Sequence, residues 1–187
     1  MRPEPKYDIN SNPLSVWFIG LPCSGKSTVS QGVYAKLKSD GFKIKLLDGD
    51  DLRKGINNNL GFSITDRQEN IRRVAEVNKL FLDEEYIVLN ALICPLRDMR
   101  LMVSNIIGVE NFCEIFTDAP LHICEGRDVK GMYLKARTGQ IRNFTGIDSP
   151  FELPAHPDVI IRTDQLSIEA SVQNVYDFLK SKLQRNK

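Results

Sequence analysis

Residues 20–28 read GLPCSGKST, and they decide the fold. From Gly20 to Ser27 they satisfy G-x-x-x-x-G-K-[ST], between the apolar run SVWFIG (15–20) and a helical pattern that starts near Lys26. Glycines let backbone N–H groups approach phosphate oxygens, and the N-terminus of the following helix adds a favourable dipole. Gly20, Leu21, Pro22, Cys23, Ser24, Gly25, Lys26, Ser27 and Thr28 are therefore expected to hold a nucleotide triphosphate. Lys26 would bridge the β- and γ-phosphates, and the Ser27 hydroxyl would ligate Mg²⁺. Pro22 has no N–H, so the phosphate contacts are expected mainly from Ser24 through Thr28, with Pro22 stiffening the start of the loop.

Around this loop, apolar runs alternate with helical patterns. KIKLLD (43–48), YIVLNALI (86–93), FCEIFT (112–117) and DVIIRT (158–163) read as four further strands. Helices are predicted from Lys26 to about Ser39, from Asp66 to Glu85, and over about 167–184. Thr65 or Asp66 would cap the second of these, with Glu69 close to capping-box spacing. Strands apolar throughout and separated by helices imply a five-stranded parallel sheet covered on both faces, an α/β fold. In such sheets the chemistry gathers at the carboxyl ends of the strands.

The segment after the second strand, LLDGDDLRKGINNNLGF, is acidic. Asp48 and Asp50 could hold Mg²⁺ or take the proton from an attacking hydroxyl; a turn with a helix cap is the plainer reading, which we favour only for Asp51. Arg53, Arg67, Arg72 and Arg73, with Phe62 among them, could be a solvated face, or a pocket for an anion and a base. GMYLKARTGQIRNFTG (131–146) combines glycines, cations and aromatics, the composition of a lid that closes on a phosphoryl group.

The bulk properties exclude more than they assign. The chain has 187 residues, with 25 basic and 24 acidic side chains and a net charge of +1. That balance gives no support to a nucleic-acid or membrane-surface role. Length fits one domain (14–187) after a polar, proline-rich and flexible lead-in (1–13). No signal peptide or membrane span is legible, so a cytoplasmic location is expected. Cys23, Cys94, Cys113 and Cys124 lack the spacing of a zinc site or disulfide framework and read as reduced thiols. His122 and His156 have no partner pattern and are assigned no function.

The motifs taken together resemble the adenylyl-sulfate kinases. The similarity runs from Val16 to about Phe178 and rests on GLPCSGKST, LDGDDLR, LGFSITDRQENIRRVAEV, ICPLRDMR, EIFTDAPLHICEGRDVKGMYLKAR and NFTGIDSPFE. The resemblance implies a three-layer P-loop kinase fold with a mobile lid (about 129–147), Mg·ATP as donor, adenylyl sulfate as acceptor and a homodimer. It implies that Asp50 and Arg53 contact adenylyl sulfate, that Phe62 lies against its adenine, and that Arg67 and Asn70 contact its phosphosulfate or ribose. Ile93 and Cys94 would continue that site, Lys130, Asn143 and Phe144 would close over it, and Arg127 would flank the ATP adenine. Asp50 and Lys26 would be catalytic, with Ser27 and Asp48 on the metal. A P-loop kinase with another nucleotide-like or sugar-linked acceptor, or a catalytically silent nucleotide-binding protein, are the competing readings. The intact Lys26, Ser27, Asp48 and Asp50 argue against silence.

The chain departs from the family pattern at a few positions. Cys94 stands where the family usually has a serine, phosphorylated in some members, so that modification is not expected here. Leu96 replaces an aromatic, and Pro22 and Cys23 replace small residues. We expect Cys94 to be a buried, inert thiol.

Overall fold

The computed structural model describes residues 12–184. Most of the expected lead-in (residues 1–11) lies outside them. Five strands form one parallel sheet: β1 (Leu14–Ile19), β2 (Ile44–Asp48), β3 (Ile87–Ala91), β4 (Phe112–Asp118) and β5 (Val159–Arg162). Their order is β2-β3-β1-β4-β5, which makes β1 the centre of the sheet.

The alternation of side chains along β1 explains why the strand is apolar throughout. Val16 and Phe18 pack with Val29, Val33 and Leu37 of α1 (Lys26–Ser39) and with Val175 and Leu179 of α7 (Ile168–Gln184). Trp17 and Ile19 point the other way, onto Ile71 and Val74 of α3 (Ile64–Asp83) and Met99 and Val103 of α4 (Arg97–Ile107). Both faces are thus buried, and the result is three layers. Three polar side chains in this core pair with one another: Ser15 Oγ donates to Asn78 Oδ1 at 2.7 Å, and Asn78 Nδ2 donates to Asn90 Oδ1 at 2.8 Å.

Three details differ from the sequence reading. The cap of α3 is Ser63, whose Oγ accepts from the Asp66 N–H at 3.1 Å and donates to Asp66 Oδ2 at 2.7 Å. This is a serine N-cap whose hydroxyl is also held by the Asp66 carboxylate, placed ahead of the expected Thr65 or Asp66. The helix α4 is unannounced in the sequence, because Leu96 sits at its N-cap and supplies no side-chain bond. Inside the expected lid lies a further helix, α6 (Met132–Arg137), started by Gly131 in the left-handed conformation at φ 63°. The short helices α2 (Gly49–Lys54) and α5 (Leu121–Arg127) complete the fold. No helix among the described residues is long and apolar enough to cross a membrane.

Candidate active site

The carboxyl ends of β1, β2, β3 and β5 open into one cleft of about 910 Å³. That volume stands at the upper end of ordinary ligand sites, enough for two nucleotides. The phosphate loop forms one end and the segment around Phe62, Arg67 and Asn70 the other.

At the loop end, Val29 N–H makes the first helical bond, to the Gly25 carbonyl at 3.0 Å. The N–H groups of Gly25 to Thr28 precede it, so they are the unspent donors of the α1 N-terminus. Ser24 departs from expectation. Its N–H goes to the Leu21 carbonyl at 3.2 Å, and its buried hydroxyl meets that of Thr117 at 2.9 Å. Gly20 has no alternative residue: at φ 148° an added Cβ would stand 2.4 Å from the Thr117 carbonyl oxygen. Lys26 is buried, and its Nζ donates to the carbonyls of Leu21 at 2.6 Å and Gly20 at 3.1 Å, leaving a third N–H. Burial draws its ammonium down to about 8, against the raising influence of Cys124, Cys23, Asp48 and Asp50.

Asp48 ends β2 and caps α2. Its Oδ1 accepts the Asp50 N–H at 2.9 Å, and its Oδ2 accepts the Ser27 hydroxyl at 2.6 Å. The two residues expected on the metal are therefore in contact. Asp50, two residues further on, pairs with Lys130 from across the cleft. That bond raises the Lys130 ammonium, although both side chains stay well exposed.

The far end of the cleft is built on α3. The guanidiniums of Arg53 and Arg67 lie 4.5 and 5.6 Å from the Phe62 ring centroid. Arg53 Nη1 donates to the carbonyls of Leu60 and Gly61, and Arg67 Nη2 to that of Asn143 at 2.9 Å. Burial, and then the neighbouring Arg53, lowers the buried Arg67 to about 10. Asn70 is buried on the cleft wall, and its Oδ1 has no protein partner. Ile93 and Cys94 extend the wall after β3. Cys94 holds a left-handed φ of 38° directly before Pro95, a conformation that strains a non-glycine residue. Its thiol is buried, and burial pushes it up to about 12.

The segment 127–149 spans the two ends. Arg127 Nη1 donates to the Cys23 carbonyl at 3.3 Å, and its Nη2 donates to the Thr163 carbonyl at 2.6 Å. Asn143 and Phe144 are set by Asp148, whose carboxylate accepts their N–H groups at 2.8 and 2.6 Å. Thr163 is a cleft residue that sequence reasoning missed. Its hydroxyl donates to the Ser24 carbonyl at 2.7 Å, and its place at the carboxyl end of β5 was the available signal.

The profile of one family, adenylylsulphate kinase, matches residues 12–162. The chain belongs to that family. It is 50% identical over 184 residues to an adenylyl-sulfate kinase of Bacteroides thetaiotaomicron, covering 98% of this chain and 92% of the relative. Among solved structures, an APS kinase of Mycobacterium tuberculosis in complex with AMPPNP and APS superposes with a TM-score of 0.87 at 44% identity. The match covers 91% of this chain and 99% of that one. A hexameric APS kinase from Thiobacillus denitrificans superposes with a TM-score of 0.70 at 27% identity, over 92% of this chain and 30% of that chain.

Cys94 puts a buried thiol on the cleft wall. Cys113 and Cys124 are also buried, and only Cys23, in the phosphate loop, is half-exposed.

Proposed function

We propose that this chain transfers the γ-phosphate of ATP to the 3′-hydroxyl of adenylyl sulfate, giving 3′-phosphoadenylyl sulfate and ADP. The observation that carries the reading is the position of Asp50. It stands between the phosphate loop, through Asp48 and Ser27, and the Arg53–Phe62–Asn70 wall, paired with Lys130. A hydroxyl brought there by an acceptor on the wall has a carboxylate to orient it or take its proton. Lys26, with its third N–H, neutralises charge on the transferring group, and the loop N–H groups from Gly25 to Thr28 hold the donor phosphates.

Gly20 to Thr28 and Arg127 form the donor side of this proposal. Arg53, Phe62, Arg67, Asn70, Ile93, Cys94, Lys130, Asn143 and Phe144 form the acceptor side. The buried Asn70 Oδ1 supports this assignment, since it is a hydrogen-bond acceptor without a protein partner on a residue of the cleft wall. The hydroxyl of Ser27 and carboxylate of Asp48 are oxygen donors that fit Mg²⁺, which supplies charge neutralisation on the β- and γ-phosphate oxygens. Among the described residues no three His, Cys, Asp or Glu side chains group to hold a metal. The cation would therefore depend on nucleotide oxygens to complete its shell.

The same proposal treats residues 14–187 as one kinase unit, cytoplasmic, acting as a homodimer, with residues 129–147 moving as a lid. Left-handed Gly131, Gly139 and Gly146 give that segment its turning points. The test is ADP release from Mg·ATP with and without adenylyl sulfate. Acceptor-dependent ADP is expected. ATP binding without turnover would point to a silent nucleotide-binding protein, and turnover with a different acceptor alone would reassign the substrate. Asp50→Asn should lower turnover by about 10²- to 10⁴-fold, and an unchanged rate would remove Asp50 from its role.

A further inference from the structure

An anion-binding loop must turn its N–H groups inward and its carbonyl oxygens away, because a carbonyl facing a phosphate is repulsive. Here every carbonyl from Gly20 to Ser24 is taken by a side-chain donor. Lys26 Nζ holds those of Gly20 and Leu21, Tyr133 Oη donates to that of Pro22 at 2.9 Å, Arg127 to that of Cys23, and Thr163 to that of Ser24. Tyr133 comes from α6, far along the chain, and its side chain is 2% exposed.

The same ring reaches the acceptor side. Tyr133 and Phe144 meet edge to face, with centroids 4.9 Å apart and planes at 75°. Phe144 follows Asn143, whose carbonyl accepts from Arg67 Nη2, and Arg67 lies over Phe62. The helix that carries Tyr133 is itself fixed at its start: Asp128 accepts the N–H groups of Tyr133 and Leu134, each at 3.1 Å. One buried residue thus touches the donor loop with its hydroxyl and the acceptor clamp with its ring.

We infer that Tyr133 is a positioning residue that couples the two substrate sites, transmitting the placement of Phe144 to the Pro22 carbonyl and so to the phosphate loop. This rests on the adenylyl-sulfate reading of the acceptor site. With a phosphate in the loop, the Pro22 carbonyl is held outward and the ring is seated where Phe144 can close. With an acceptor under Phe144, the same contact holds the loop open to the donor. By linkage the effect is reciprocal.

The experiment measures the Kd of a non-hydrolysable ATP analogue with and without saturating adenylyl sulfate, by calorimetry on the whole chain. The wild type should show a coupling factor different from one. Tyr133→Phe keeps the ring and removes only the hydroxyl, and should reduce that factor by about fivefold, the scale of one neutral hydrogen bond. Phe144→Leu, which breaks the ring contact from the other end, should produce the same loss, and the double variant should lose no more than either alone. A structural role would lower the melting temperature and leave the coupling factor at its wild-type value. A wild type that binds both ligands without coupling, or a Tyr133→Phe variant that keeps it, overturns the inference alone. A wild type that fails to bind adenylyl sulfate overturns the acceptor reading and the inference with it.

Discussion

Arg100 and Glu114 form a buried ion pair, with Nε 3.1 Å from Oε1 and side chains 6% and 10% exposed. The contact is off hydrogen-bond alignment and is held by charge. Burial raises the Glu114 carboxyl, and Arg100 opposes that shift. The other two arms of the guanidinium are also spent: Nη1 donates to the Cys94 carbonyl at 3.0 Å and Nη2 to the Glu152 carbonyl at 2.9 Å. Arg100 therefore ties β4, the strained Cys94 turn and the segment around Glu152 into one unit.

Removing one partner leaves the other charge buried and alone, so Arg100→Ala should cost about 3–5 kcal/mol in chemical denaturation. Replacing both partners with apolar residues, as in Arg100→Met with Glu114→Leu, should recover only the part of that loss owed to the lone buried carboxylate, since two carbonyls still lack their donor. The double variant should still bind adenylyl sulfate weakly, because the Cys94 and Glu152 carbonyls have lost their donor. A double variant with full acceptor affinity would show that Arg100 does nothing for the site beyond stability.

Asn70 offers a cleaner separation of binding from folding. Its Oδ1 is buried with no protein partner, so the free chain gains nothing from it. Asn70→Ala should raise the KM for adenylyl sulfate about tenfold, the cost of one hydrogen bond in a dry pocket, with the KM for ATP and the melting temperature nearly unchanged. Two-substrate kinetics and a thermal melt decide it. An equal rise in both KM values would place Asn70 outside the acceptor site.

Much of this site was legible in the sequence because its parts are local. The phosphate loop is a contiguous pattern, and Asp48, Asp50 and Arg53 follow a strand whose end faces it. The parallel sheet was equally plain, because β1 buries both faces and so shows no alternation. What was hidden depends on contacts between distant residues. Thr163 and Tyr133 act on loop carbonyls across 139 and 111 positions of sequence; the end of β5 marks Thr163 only as a cleft residue, and nothing local names the carbonyl that either one holds. Pro22 was read for the N–H it lacks, whereas its carbonyl carries the contact. The Ser63 cap was passed over in favour of Thr65 and Asp66, which lie inside the first turn of α3.

Cys94 allows a prediction about pH. An ordinary cysteine thiol ionises near 9.0, whereas burial pushes that of Cys94 to about 12 in the folded chain. Below pH 9 both states carry the proton, and the group contributes no pH dependence. Between 9 and 12 the unfolded chain has released the proton while the folded chain still holds it, so stability falls as pH rises. Cys113 is shifted in the same direction by burial, so the wild-type curve alone does not isolate Cys94. The difference between wild type and Cys94→Ala does. It should be constant below pH 9 and should narrow by about 1.4 kcal/mol by pH 10 in urea titrations, as the wild type loses the contribution that the variant never had. The same burial keeps the thiolate scarce, so native Cys94 should resist iodoacetamide at pH 8 while the half-exposed Cys23 is labelled. A pH-independent difference, or rapid native labelling at Cys94, would mean that the thiol on the cleft wall is open to solvent and ionisable there.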